Sequence, residues 1–232
     1  MEFRVFALDY DGTIAEAGVL DSDVGAAIAE ARGLGIIVVL ATGRVVSDLK
    51  QHIQNLSMFD AIVAENGAVV GLPGGRLRLI GRRAPAAFLE ALTDLEIPFH
   101  CGQCIVDADA DFAPQILGVI RALELPLVLV FNQDRVMVLP QGISKGNGLR
   151  EALGEFKILP RQAIGIGNAE NDYDLLSTCG WGVAVEWGSV ALQEEADEVL
   201  EGATPGAVAA YLRRKMRDMQ SPDMPRSIAR KR

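Results

Sequence analysis

FRVFALDYDGT, residues 3–13, begins as an apolar run and ends in charge. Val5 to Leu8 are strand formers, and Asp9-Tyr10-Asp11-Gly12-Thr13 follows at once. A buried strand that stops at two carboxylates and a glycine turn is laid out like the active site of an open α/β sheet, where ligands sit beyond the carboxyl ends of the strands. Asp9 and Asp11 are two residues apart, so both point to one face while the chain stays extended. Gly12 turns the backbone without a Cβ penalty. Asp and Gly are also ordinary turn residues, so the pentapeptide alone reads equally well as a surface turn. Its position directly after an apolar strand favours a site.

Working outward, other segments repeat the pattern. A helix capped by Asp21 or Ser22 carries Val24, Ala27, Ile28 and Ala31 at helical spacing. Ile36 to Leu40 is then a continuous β-branched run, the mark of a strand buried on both faces, and it stops at Thr42-Gly43-Arg44. A helix with Val46, Leu49 and Ile53 inward follows, and a strand from Ala61 to Ala64 ends in Glu65-Asn66-Gly67. Strands alternating with helices over short connections predict a parallel sheet with right-handed crossovers. Ala68 to Val70 and Leu77 to Ile80 flank Pro73-Gly74-Gly75 as a hairpin.

From Arg82 to Pro140 a smaller α/β unit is expected, with helices over 86–95 and 112–123 and strands over 104–106, 127–131 and 136–139. The first architecture resumes at Gly142. Ser144 caps a helix from Lys145, and the strand Ile164 to Ile166 breaks into Gly167-Asn168-Ala169-Glu170-Asn171-Asp172. A helix through Leu175 and Leu176, a strand from Gly182 to Val185 and a helix from Pro205 to Met216 finish the chain. The expected fold class is α/β: a Rossmann-like parallel-sheet core with helices on both faces, residues 1–81 and 141–216, and an inserted smaller α/β cap domain, residues 82–140. Residues 217–232 read as a disordered basic tail.

With 232 residues, half of them hydrophobic, the chain can bury a core and carry an insert. The longest apolar stretch, Ile36 to Ala41, is too short to span a bilayer. Met1 leads straight into the first strand with no room for a signal peptide, so a soluble cytoplasmic protein is expected. Net charge is -9, although residues 213–232 hold eight Lys/Arg against two Asp/Glu. The remainder is more acidic still and makes a poor nucleic-acid surface. Cys101-Gly102-Gln103-Cys104 with His100 offers three zinc ligands and no second pair to close a tetrahedral site, so ordinary thiols are expected. Asp107, Asp109 and Asp111 alternate as in a calcium loop but lack its glycine and closing glutamate, which leaves a solvated loop.

Polar clusters at the ends of apolar segments carry the chemistry: Asp9/Asp11, Thr42, Lys145 and Asn168/Asn171/Asp172. Singly they read as a turn, a helix cap, a surface lysine and a helix start. Together they suit phosphate-monoester hydrolysis, where charge spreads over the phosphoryl oxygens and catalysis is placement and neutralisation. Asp9 can attack phosphorus, splitting one hard step into two easier ones. Its approach to an anionic ester needs positive charge between them; Mg²⁺ suits oxygen ligands from Asp9 and the loop near Asp172. Lys145 adds a fixed cation, Thr42 a hydroxyl hydrogen bond, and Asp11 a proton for the leaving oxygen.

These four motifs resemble those of the haloacid dehalogenase superfamily, and an insert after Glu65-Asn66-Gly67-Ala68 resembles its Cof-type branch with the phosphoglycolate and sugar-phosphate phosphatases. The resemblance implies Asp9 as nucleophile, Asp11 as acid/base, and Thr42 and Lys145 as further catalytic residues. It implies phosphate contacts from Asp9, Thr42, Gly43, Lys145 and Asn171, and Mg²⁺ held by Asp9, Asp11, Asn168 and Asp172. The partner implied is a small phosphorylated metabolite, with no nucleic acid or membrane, for a monomer or homodimer. One position departs: Asn168 stands where the family usually has aspartate. Its amide oxygen can coordinate Mg²⁺ but brings no charge, so a raised Mg²⁺ requirement is expected. A sugar phosphomutase shares the same core, and Asn168 is the one feature that fits a catalytically weakened phosphoester-binding protein. A dehalogenase would leave Asp11 and the Mg²⁺ loop without a purpose.

Overall fold

The computed structural model describes residues 3–53, 55–132 and 134–220, without the side chain of Lys50. Elements run in the order β1 (Val5–Asp9), β2 (Ala15–Glu16), β3 (Val19–Leu20), α1 (Ser22–Gly33), β4 (Ile37–Ala41), α2 (Val46–His52), β5 (Ala61–Ala64), β6 (Val69–Leu72) and β7 (Arg76–Leu79). Then come α3 (Ala86–Asp94), β8 (Phe99–Cys101), β9 (Val106–Asp109), α4 (Ala113–Ala122), β10 (Leu127–Asn132) and β11 (Arg135–Pro140). The chain closes with α5 (Lys145–Glu155), β12 (Ala163–Gly167), α6 (Tyr173–Thr178), β13 (Trp181–Val185), α7 (Val190–Glu195), β14 (Glu198–Leu200) and α8 (Gly206–Gln220).

Eight strands form the larger sheet in the order β14-β13-β12-β1-β4-β5-β6-β7. All pairings are parallel from β14 to β5, and the β6–β7 hairpin adds two antiparallel strands at one edge. β1 lies in the middle because both of its faces are apolar: Phe6 and Leu8 pack toward α1 and α8, Val5 and Ala7 toward α5 and α6. From β1 the chain winds outward to β4 on one side and later to β12 on the other. That reversal opens a crevice beyond the carboxyl ends of β1, β4 and β12, the usual ligand position in such sheets.

The inserted sheet, β10-β11-β9-β8, is antiparallel and obeys a period of two. Val106, Ala108, Val136 and Val138 turn inward against Phe88 and Leu92 of α3 and Ile116 and Ile120 of α4. Their neighbours Asp107, Arg135 and Met137 therefore take the opposite face, which looks onto the crevice.

Several expectations need correction. The helix expected to stop at Met216 continues to Gln220, so residues 217–220 belong to α8 and not to a disordered tail; residues 221–232 lie outside those described. Asp107 and Asp109 sit in β9 and not in a solvated loop, because their alternation with Val106 and Ala108 is that of a strand with one buried face. The strand expected over 104–106 begins at Val106, and the short, half-exposed β8 precedes it. Cys104 is buried, its thiol donating to the Gly81 carbonyl, while Cys101 is exposed. Among the described residues, no helix is long and apolar enough to cross a membrane.

Candidate active site

Asp9 is the last residue of β1 and only 3% exposed. Lys145, the first residue of α5, places its ammonium 2.7 Å from Asp9 Oδ1 and 2.6 Å from Asp172 Oδ1. Ser144 caps that helix through its hydroxyl, which fixes where Lys145 begins. Asp172 is fully buried, and its other oxygen accepts the main-chain N–H groups of Asn168 and Ala169. All of its bonding in this arrangement is directed to Lys145 and to the loop after β12.

One ammonium thus faces two buried carboxylates, which leaves a surplus negative charge. Burial, and then the charge of Asp172, push the Asp9 carboxyl up to about 7 against the opposing pull of Lys145. For Lys145 burial works downward, but the two carboxylates outweigh it and hold its pKa above the ordinary lysine value. Lys145 is the cation of this trio.

The second oxygen of Asp9 accepts from the Thr13 hydroxyl at 2.9 Å, and the same hydroxyl lies 3.2 Å from Asn168 Oδ1. A hydroxyl has one proton, so it can donate to only one of these oxygens at a time. Gly12 is required between them: its φ is +76°, and a Cβ there would come within 2.3 Å of the Asn168 amide. The indole N–H of Trp187 donates to the Gly12 carbonyl at 2.7 Å and closes the turn from behind.

Thr42 is buried at the end of β4, its hydroxyl accepting from the Arg44 N–H at 3.1 Å. Thr42 itself is not among the residues that line the cavity beyond the strand ends. Asp11 does not join the Lys145 cluster: Arg44 grips its carboxylate through two bonds of 2.7 Å each. Asn171 donates to Asn66 at 3.4 Å and, with Gly43, reaches the wall of a cavity of about 450 Å³ beyond the strand ends. Asp9, Asp11, Lys145 and Asn168 open onto the same cavity, and the cap contributes His100, Asp107, Asn132, Asp134, Arg135 and Met137.

For a divalent cation the donor set is mixed. Among the described residues, no group of three or more His, Cys, Asp or Glu side chains is arranged to hold a metal. The Asp9 carboxylate and the Asn168 amide oxygen do converge on Thr13, and both are hard oxygen donors of the kind Mg²⁺ takes. The surplus negative charge of the buried trio favours a cation at that point. The residues present therefore fit Mg²⁺, with less charge than a carboxylate at 168 would provide.

Some residues that shape the site were not picked out from sequence. Thr13 stands inside the opening pentapeptide and Arg44 directly after Thr42-Gly43, so both had a positional signal. Glu65 had only a turn signal, yet its buried carboxylate accepts the N–H groups of Gln103, Cys104 and Ile105 and ties the cap to the core. Trp187, Asp134 and Met137 had none, because they reach the site only through tertiary packing. His100 of the cap lines the cavity, while Arg83 donates to Gln103.

The family model for haloacid dehalogenase-like hydrolases matches residues 6–110 and 122–212. A phosphoglycolate phosphatase of Methanosarcina mazei is 26% identical over 221 residues, 90% of this chain and 96% of that protein. A haloacid dehalogenase-like hydrolase of Bacteroides thetaiotaomicron shares the fold with a TM-score of 0.78 at 17% identity, over 92% of this chain and 100% of that one. A sugar phosphatase of haloacid dehalogenase subclass IIB shares it with a TM-score of 0.74 at 16% identity, over 92% and 99%. With the two-part match spanning both the strand-end cluster and most of the insert, the chain belongs to the haloacid dehalogenase-like hydrolases.

Proposed function

We propose that the chain is a Mg²⁺-dependent phosphatase that hydrolyses a small phosphorylated metabolite, a phosphoglycolate or a sugar phosphate, through an aspartyl-phosphate on Asp9. The observation that carries this reading is Asp9 itself: a buried carboxylate at the tip of a central strand, bonded to Lys145 and Thr13, at the rim of a cavity sized for a small molecule. The names of the relatives point the same way.

Asp9 attacks phosphorus, and its O–P bond forms as the ester O–P bond breaks. Lys145 and the Thr42 hydroxyl hold the phosphoryl oxygens, with Gly43 and Asn171 lining the approach. Once its fork to Arg44 opens, Asp11 takes up a proton from solvent and gives it to the leaving oxygen. It then takes a proton from water, whose oxygen attacks phosphorus, freeing Asp9 and releasing phosphate. Asp9, the Asp11 carbonyl and Asn168 would hold Mg²⁺; Asp172, expected among the ligands, has both oxygens engaged by Lys145 and the N–H groups of Asn168 and Ala169 and would set the loop. When bound, the ion neutralises the repulsion between carboxylate and phosphate.

Asp9→Asn should cut p-nitrophenyl-phosphate turnover by at least about 10³-fold, the order expected when a nucleophile is lost. A variant that retains full activity overturns the nucleophile assignment. Release of free phosphate, as opposed to an isomerised sugar, separates hydrolysis from phosphoryl return to product.

A further inference from the structure

The charges lining the cavity do not balance. Its cations are Lys145, Arg44 and Arg135, and each is already matched. Lys145 is bonded to Asp9 and Asp172, Arg44 to Asp11, and Arg135 to Asp107 at 2.5 Å. Asp48 and Asp134 line the same cavity in addition, and among the described residues neither forms an ion pair. His100, the other basic side chain there, stands directly across from Asp107 in the β8–β9 pairing and shares its face. The lining outside the Asp9–Lys145 cluster therefore presents acceptors, with the Asn132 amide as a neutral donor and acceptor.

We infer that the site selects phosphate esters whose leaving group is a neutral polyol and discriminates against those whose leaving group carries a carboxylate. This rests on the phosphatase reading above and narrows it. Polyol hydroxyls donate to Asp48, Asp134 and Asn132, and hydrogen bonds to an ionised acceptor are the stronger kind. A substrate carboxylate would shed water beside two like charges and find every cation engaged. Room is not the constraint, since a cavity of about 450 Å³ is ample for a small ester. The substrate named for the Methanosarcina mazei relative carries such a carboxylate, so the inference sets this chain apart from it.

The test compares kcat/KM of the full chain with Mg²⁺ on p-nitrophenyl phosphate, ribose 5-phosphate and phosphoglycolate. Ribose 5-phosphate should exceed phosphoglycolate by roughly tenfold or more, the size of one like-charge contact. In Asp48→Asn/Asp134→Asn that ratio should shrink at least about fivefold. For the unmodified protein the ratio should also fall as salt screens the repulsion, a measurement that needs no variant. Preference for phosphoglycolate, or a ratio unmoved by both the variant and salt, overturns the inference while turnover of p-nitrophenyl phosphate leaves the phosphatase reading standing. A protein with an intact thermal transition that turns over no ester overturns both.

Discussion

Thr13 Oγ1 lies within hydrogen-bond reach of Asp9 Oδ2 and Asn168 Oδ1, and in the proposed Mg²⁺ site this pairing would set the strength of cation binding. Asn168→Asp would add a second charge there. Without metal the new carboxylate joins a trio that already has a negative surplus, so stability should fall by about 1–3 kcal/mol. With Mg²⁺ the same charge becomes a ligand. The variant should show a larger Mg²⁺-induced rise in melting temperature and an activation midpoint lowered at least about fivefold. Equal midpoints would remove the proposed cost of asparagine at 168. At this scale much of the proposed site was legible, because Asp9, Lys145 and Asn168 each close or open an element beside an apolar run. Arg44's fork to Asp11 and Trp187's bond to Gly12 were not, since a bond between residues 33 or 175 positions apart leaves no local pattern.

Glu65 shows what one side chain does for a whole element. It has φ of +53°, is fully buried, and takes three successive N–H groups of the loop that joins β8 to β9 in the cap. Glu65→Gln replaces one acceptor oxygen by a donor aimed at other donors. A loss of about 2–4 kcal/mol is expected, seen first as faster amide exchange at Gln103 to Ile105. At the sheet's other end β14, β13 and α8 meet on Glu198, which accepts from Trp181 and Tyr211 and pairs with Arg214 and Lys215. Burial pushes the Glu198 carboxyl up, but the Trp181 bond and the charge of Lys215 outweigh it and hold its pKa below the ordinary 4.5. A carboxyl lowered by folding contributes stability above 4.5, lost as pH falls through its folded value. The melting-temperature gap between wild type and Glu198→Gln should therefore be widest near neutrality and shrink below pH 4.5. Strands such as β1, β4 and β5 were plain in the sequence because burial on both faces makes them uniformly apolar. β2, β3, β8 and β14 were not, since two or three half-exposed residues make no period.

For the whole molecule, alternating strands and helices announced a parallel sheet, whereas the order of its strands follows from which edge each crossover reaches. That order has a cost in time. β1 pairs with β4 about thirty residues on, but its other edge waits for β12, where Val5 meets Ala163 and Leu8 meets Ile166. Until synthesis passes that point, the emerging polypeptide holds Val5 to Leu8, all buried in the finished protein, as an open and wholly apolar edge. A ribosome stalled within the insert would leave a sticky half-sheet with no lid on its centre. A fragment stopped before Ala163 should therefore partition into the insoluble fraction and be rescued by supplying residues 141–220 in trans, the piece that carries the missing neighbour.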